Sequence, residues 1–97
     1  YPDLDAIICT NDDIAIGALY ESMRRGLDVP KTISIVGFHG HNITSVISPK
    51  LATVLTPREE IGKTAAECLI ERIINPEVKV VEKCIEIDTK FHFGETI

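Results

Sequence analysis

Ile33-Ser34-Ile35-Val36-Gly37-Phe38-His39-Gly40-His41 reads as a strand that stops abruptly at an imidazole. Residues 33–38 are β-branched, aromatic or small, as expected of a strand covered on both faces. Upstream, Ala6-Ile7-Ile8-Cys9 is another continuous apolar run and predicts a second strand of the same kind. The segment between them carries the marks of a helix. Thr10-Asn11-Asp12-Asp13 supplies N-cap candidates and two acids for the first turn, Arg24-Arg25 place cations in the last, and Gly26 is a natural stop. Val29-Pro30 then breaks the chain. Strand, helix and strand with short joints predict a right-handed βαβ unit in a parallel sheet, and hence an α/β fold.

That helix has two apolar faces. Ile14, Ala15, Ala18, Leu19 and Ser22 form one, and Ile16, Gly17, Tyr20 and Met23 form the other. Two faces need two partners, the sheet and a second subunit. Beyond the strand, residues 40–50 are rich in Gly, Asn, Ser and Pro and predict an irregular loop. Leu51 to Leu55 reads as a third strand. Thr56-Pro57-Arg58-Glu59 predicts a capping box, with Thr56 at N-cap, Pro57 at N1 and Glu59 at N3. The helix it opens carries Ile61, Ala65, Cys68, Leu69 and Ile73 at helical spacing and ends at Asn75-Pro76. Val78 to Val81, and then Ile85, Ile87, Thr89, Phe91 and Phe93, predict one or two further strands. In that alternation His92 falls opposite the phenylalanines and is expected to be exposed.

The totals exclude several classes. An apolar content of 44% and a mean hydropathy of +0.13 suit a globular chain, and 97 residues allow one domain at most. A net charge of -5, with the charges interspersed, leaves no basic stripe to meet nucleic acid. No apolar run reaches the roughly 20 residues of a membrane span. Tyr1-Pro2 opens the chain without an initiator methionine, so a segment of a longer protein is expected. Cys9, Cys68 and Cys84 are odd in number and set among apolar residues, the pattern of buried free thiols in a reducing cytoplasm rather than of a disulfide framework.

In an open α/β sheet, ligands bind beyond the carboxyl ends of the strands. Three polar clusters fall at such ends: Thr10-Asn11-Asp12, His39-Gly40-His41, and Thr56 with Arg58. Asn11 can donate to and accept from hydroxyl groups, or simply cap its helix. His39 can bond a hydroxyl when neutral and an anion when protonated, or be an ordinary loop histidine. Arg58 offers a planar fork for a carboxylate, or is a solvated first-turn residue disfavoured by the helix dipole. Together with Thr56 and with Phe38 beside the imidazole, these residues form the candidate ligand set, and its chemistry points to a small polyhydroxy acid. Catalysis finds less support. The chain has no nucleophile elbow, no glycine-rich phosphate loop and no triad. Asp12-Asp13 as an acidic metal pair competes with a dipole-stabilising role, and His39, His41 and a distant His92 make a poor metal set. No cofactor and no metal are expected.

Several segments resemble the lactose/galactose repressor family. Cys9-Thr10-Asn11-Asp12-Asp13-Ile14-Ala15-Ile16-Gly17 resembles its N-D-x-x-A-x-G element. Leu27-Asp28-Val29-Pro30 followed by ISIVGF resembles its G-x-x-V-P…I-S-I-x-G-F-D. Leu51-Ala52-Thr53-Val54, TPREEIG and the helix after it continue the match, in order and spacing, over essentially the whole chain. The resemblance implies a periplasmic-binding-protein-like fold, in which a parallel sheet with flanking helices is the C-terminal fragment of a two-lobed effector-binding domain. By it, residues 1–55 belong to the C-terminal lobe, 56–76 form a crossover helix of the N-terminal lobe, and 77–97 are a return strand. It also implies a homodimer through Asp13, Ile16, Gly17, Tyr20 and Ile47. DNA would be met only by an N-terminal helix-turn-helix outside these residues.

One departure is informative. Most sugar-binding members have an aspartate where this chain has His39. The form GFHG, with CTNDD and LTPRE, looks like the gluconate and idonate repressor branch. Exchanging an acid for an imidazole removes a charge that would repel a carboxylate. The reading is therefore a cytoplasmic, non-enzymatic sensor whose effector is a gluconate-like sugar acid, with no membrane partner. A periplasmic sugar receptor of the same fold is the alternative, and a small α/β enzyme is a third.

Overall fold

The computed structural model describes residue 1, residues 3–77 and residues 84–97. It divides into two compact units, Tyr1–Thr56 with Thr89–Ile97, and Pro57–Asp88.

The first unit is a sheet with a helix on one face. Its elements are β1 (Ala6–Ile8), α1 (Asp12–Arg24), β2 (Ser34–His39), α2 (Ile43–Val46), β3 (Ala52–Leu55) and β4 (Lys90–His92). The strands lie in the order β1-β2-β3-β4, with the first three parallel and β4 antiparallel to β3. Cys9, Ala15, Leu19, Ile35 and Leu51 form the buried core, and Ile7, Ile16, Ala18, Val29 and Ile47 lean on it. The expected βαβ unit is therefore present, with Ala15 and Leu19 as the packing residues of α1.

Both ends of α1 behave as their residue types require. Asn11, in an extended conformation, caps the helix by accepting the Ile14 N–H at 2.9 Å. At the other end Gly26 takes a φ of +75°, its N–H donates to the Met23 carbonyl, and the Leu27 N–H donates to that of Ser22. That pair of bonds is a Schellman termination, which needs the left-handed residue that glycine provides without strain. Glu21 accepts from Arg24 at 2.7 Å and from Arg25 at 2.6 Å on the exposed surface.

Other expectations are corrected. β1 is not covered on both faces: Ile7 turns toward α1 while Ile8, pointing oppositely, is 81% exposed. Residues 43–46 are a short helix rather than irregular loop. The Thr44 and Ser45 hydroxyls satisfy the His41 and Asn42 carbonyls, and the Thr44 carbonyl accepts the Leu51 N–H at 2.9 Å. His92 is not exposed; it is half-buried, and its Nε2 is enclosed without a hydrogen-bond partner. The β3–β4 register explains this, since His92 lies opposite the fully buried Thr53 and shares its face. Phe91 and Phe93 take the exposed side and meet edge to face at 4.9 Å. Of the thiols only Cys9 is buried, and burial pushes it up; Cys68 is half-buried and Cys84 exposed.

The segment after β4 closes the sheet. Thr96 is fully buried between β2 and β3. Its hydroxyl donates to the Ile35 carbonyl at 2.6 Å and accepts the Ala52 N–H at 2.8 Å, and its carbonyl accepts the Ile35 N–H. It thus supplies Ile35 with the partner that β3, paired only from Ala52 onward, does not provide. Gly94 makes this approach possible, because a Cβ there would lie 2.6 Å from the Lys50 carbonyl oxygen.

The second unit contains α3 (Arg58–Ile74), none of whose residues is buried. The predicted capping box does not form. Pro57 occupies the N-cap without a side-chain bond, and the Thr56 hydroxyl is engaged instead by the His39 carbonyl. Ile61, Thr64, Ala65 and Cys68 of α3 line, with Ile85 and Ile87, an apolar groove of about 370 Å³. Residues 84–89 form no strand, and the predicted strand at Val78–Val81 lies outside the described residues.

Two predictions follow from these contacts. Thr96→Val keeps the shape but leaves a buried carbonyl and a buried N–H unpaired, so denaturant unfolding should show a loss of about 1–3 kcal/mol. The Glu21 carboxyl is held down to about 2 by its bonds to Arg24 and then Arg25. A depressed carboxyl stabilises the fold above its ordinary value near 4.5, and that contribution disappears as pH falls toward 2. Because the group is solvent-exposed the effect is screened. In an NMR titration the Glu21 midpoint should return toward its ordinary value in Arg24→Ala/Arg25→Ala or in molar salt.

Candidate functional site

Because β1, β2 and β3 are parallel and adjacent, their carboxyl ends share one edge of the first unit. Asn11 follows β1, Phe38 and His39 end β2, and Thr56 follows β3. Four of the five candidate ligand residues thus stand along this edge, and Phe38, His39, Asn11 and Thr56 are each half-buried. Arg58 belongs to the second unit, where it is the exposed first residue of α3.

The backbone at the end of β2 is unusual. His39 has a φ of +102°, a region that L-residues rarely adopt, and Gly40 follows at +70°. Three consecutive backbone groups are held there. The His39 carbonyl accepts the Thr56 hydroxyl at 3.2 Å, the Gly40 N–H donates to Thr53 Oγ1 at 3.3 Å, and the His41 N–H donates to Asp12 Oδ2 at 2.7 Å. Thr53 Oγ1 in turn donates to Asp12 Oδ1 at 2.5 Å. The His39 ring packs edge-on to Phe38 at 5.2 Å and lies 6.0 Å from that of His41. Asn11 has spent its oxygen on the helix cap, so its amide group is the donor it can offer a ligand. Thr56 has spent its proton on His39 and offers lone pairs.

Asp12 is the residue that sequence reasoning undervalued. Expected to serve the helix dipole, it is fully buried and bonded to two elements far away in the chain. One signal pointed toward it: a glycine inside a strand marks close backbone approach. A Cβ at Gly37 would overlap Asp12 Oδ1 and lie 3.2 Å from the Asp12 Cα.

The residues assigned to a subunit interface divide by exposure. Asp13, Gly17 and Tyr20 are exposed, whereas Ile16 and Ile47 are half-buried against the core. Among the described residues no group of three or more His, Cys, Asp or Glu side chains is placed to hold a metal ion, and no helix is long and apolar enough to cross a membrane.

An open, mainly parallel sheet with polar side chains gathered at its strand ends is an α/β architecture of the kind that places ligands beyond the carboxyl ends of its strands. The chain belongs to the periplasmic binding protein-like domain family, whose family model matches residues 1–97. It is 56% identical over 73 residues, 75% of this chain, to the HTH-type transcriptional regulator GntR of Escherichia coli K12, and 44% identical over 96 residues, 99% of this chain, to IdnR of the same organism. A LacI family transcriptional regulator from Enterococcus faecium, solved with bound ribose, superimposes with a TM-score of 0.81 at 29% identity, over 95% of this chain and 34% of that one. Within the family the chain therefore groups with lactose/galactose repressor regulators of the GntR and IdnR type, and not with enzymes. It spans about a quarter of the length of these two curated relatives, 22% and 28%.

Gly37→Ala tests the close approach at the root of this site. The added methyl must displace Asp12, and the expected loss is about 1–3 kcal/mol in a denaturant melt, with the His41 amide resonance shifted.

Proposed function

We propose that this chain is part of the effector-sensing region of a cytoplasmic transcriptional repressor of gluconate-type sugar-acid catabolism. The effector is a small polyhydroxy acid bound at the carboxyl ends of β1, β2 and β3. Its binding modulates the DNA affinity of a helix-turn-helix encoded outside these residues. The observation that carries the reading is His39: an imidazole in a strained conformation at the end of β2, at the position where the family resemblance implies an aspartate in most sugar-binding members. A neutral or protonated imidazole accepts a ligand carboxylate that an aspartate would repel. Arg58 is the proposed cation for that carboxylate, Asn11 and Thr56 the partners of the hydroxyls, and Phe38 an apolar wall.

On this reading residues 1–55 belong to the C-terminal lobe, 56–76 to the crossover helix of the other lobe, and 77–97 to the return segment. The second face of α1 supports a homodimer, since Tyr20 and Met23 are large apolar side chains left about half exposed. Asp13, Ile16, Gly17 and Ile47 complete that proposed surface. Free thiols and the regulator relatives favour a repressor over an exported receptor.

Calorimetry on the full-length protein checks the assignment. Gluconate or idonate should bind and glucose should not. Arg58→Ala should weaken the sugar acid about 10- to 100-fold, the value of a charge-assisted pair, and His39→Asp should weaken it while admitting neutral sugars. Equal binding of glucose to the unmodified protein, or indifference to both substitutions, would remove the assignment.

A further inference from the structure

We infer that Asp12, which the candidate ligand set does not include, is the positioning residue of this site: it holds the His39 imidazole at the ligand through the backbone of residues 39–41. The inference rests on the reading of His39 as a ligand group. Its support is the connectivity of the turn. A histidine at φ +102° persists only where its surroundings over-determine the backbone. The three bonds that do so involve the His39 carbonyl, the Gly40 N–H and the His41 N–H. Two of the three lead to Asp12. Oδ2 takes the His41 N–H directly at 2.7 Å, and Oδ1 takes the proton of the Thr53 hydroxyl whose lone pair receives the Gly40 N–H. Both contacts are in the short range of charge-assisted hydrogen bonds. The carboxylate is fully buried and fixed at the first position of α1, so it is not free to follow the turn.

The surroundings are cut to this carboxylate. Gly37 leaves out the Cβ that would overlap Oδ1, and Gly40 leaves out one that would lie 3.1 Å from the Leu55 Cα. Two glycines, a threonine and an aspartate, from α1, β2, the turn after it and β3, thus converge on the placement of one imidazole. Without the acceptor pair, the His41 N–H and the Thr53 hydroxyl lose their partners. The turn then relaxes toward negative φ, which carries the His39 ring away from the edge where Asn11 and Thr56 stand.

The test uses the full-length protein with imidazole-labelled histidine, the variants Asp12→Ala and Asp12→Asn, and Thr96→Val as a control. Thr96 is equally buried and hydrogen-bonded but lies at the opposite end of β2, away from the turn. In Asp12→Ala the His39 ring resonances of the ligand-free protein should shift, and gluconate affinity of the folded protein should fall at least 10-fold. Asp12→Asn can still accept from His41 and can donate to Thr53, so it should stay within about fivefold of the unmodified protein and also serves if the alanine variant does not fold. Thr96→Val should lower the melting temperature with both readouts unchanged. Unmoved His39 resonances in Asp12→Ala, or an affinity loss that Thr96→Val reproduces at equal destabilisation, would overturn the inference. If the unmodified protein binds no sugar acid, the functional reading fails alone, because the His39 resonances still report whether Asp12 sets the ring.

Discussion

The first unit depends on a buried carboxylate. Asp12 sits where the start of α1, the turn after β2 and the middle of β3 meet, and it accepts one hydrogen bond from that turn and one from β3. Burying a carboxylate costs far more than burying a neutral group unless its lone pairs are filled. The cost is offset here by short bonds to a backbone N–H and a hydroxyl. The same interaction joins packing to the proposed ligand site: the helix that supplies the core residues Ala15 and Leu19 also anchors the turn that carries His39. A shift of α1 against the sheet is therefore transmitted to the strand ends.

Much of this was legible in the sequence, and the parts that were not share a cause. The βαβ unit, the Asn11 cap and the Gly26 stop are set by residues close in the chain, so local rules reach them. His39 at positive φ is beyond such rules, because the residue type argues against it and three bonds from Thr56, Thr53 and Asp12 impose it. The capping box at Thr56 failed for a related reason: α3 begins one residue later, with Pro57 at the N-cap, and the Thr56 hydroxyl is oriented by its bond to the His39 carbonyl, seventeen positions back. His92 was misjudged because alternation along β4 says which residues share a face, while only the register with β3 says which face is inside. Residues 43–46 lacked apolar periodicity, and their turn of helix is held by side-chain hydroxyls instead. The polar residues at strand ends were found from topology alone, although Asp12 was assigned to the helix dipole when its partners are tertiary.

The exposed apolar residues follow from how the units are built. One face of the sheet is packed by α1, while Ile8 and Phe93 stand largely exposed among the described residues. In α3 no residue is buried, even though Ile61, Leu69 and Ile73 recur at helical spacing. On the proposed reading these faces would be covered by the rest of a longer protein; the chain spans about a quarter of the length of these two curated relatives. The hydrophobic effect that stabilises α1 through Leu19 has no counterpart on α3 within these residues.

Thr96 carries a consequence for the order of events at the ribosome. The first unit is discontinuous: Tyr1–Thr56 is synthesised first, but the hydrogen bonds that complete Ile35 and Ala52 come from a residue translated after all of Pro57–Asp88. At roughly 5–20 residues per second, the interval lasts on the order of seconds. Throughout it β3 lacks its antiparallel neighbour, and the edges of β2 and β3 offer unpaired backbone groups to any strand nearby. The nascent sheet is thus open for a period that translation speed, rather than intrinsic folding rate, sets.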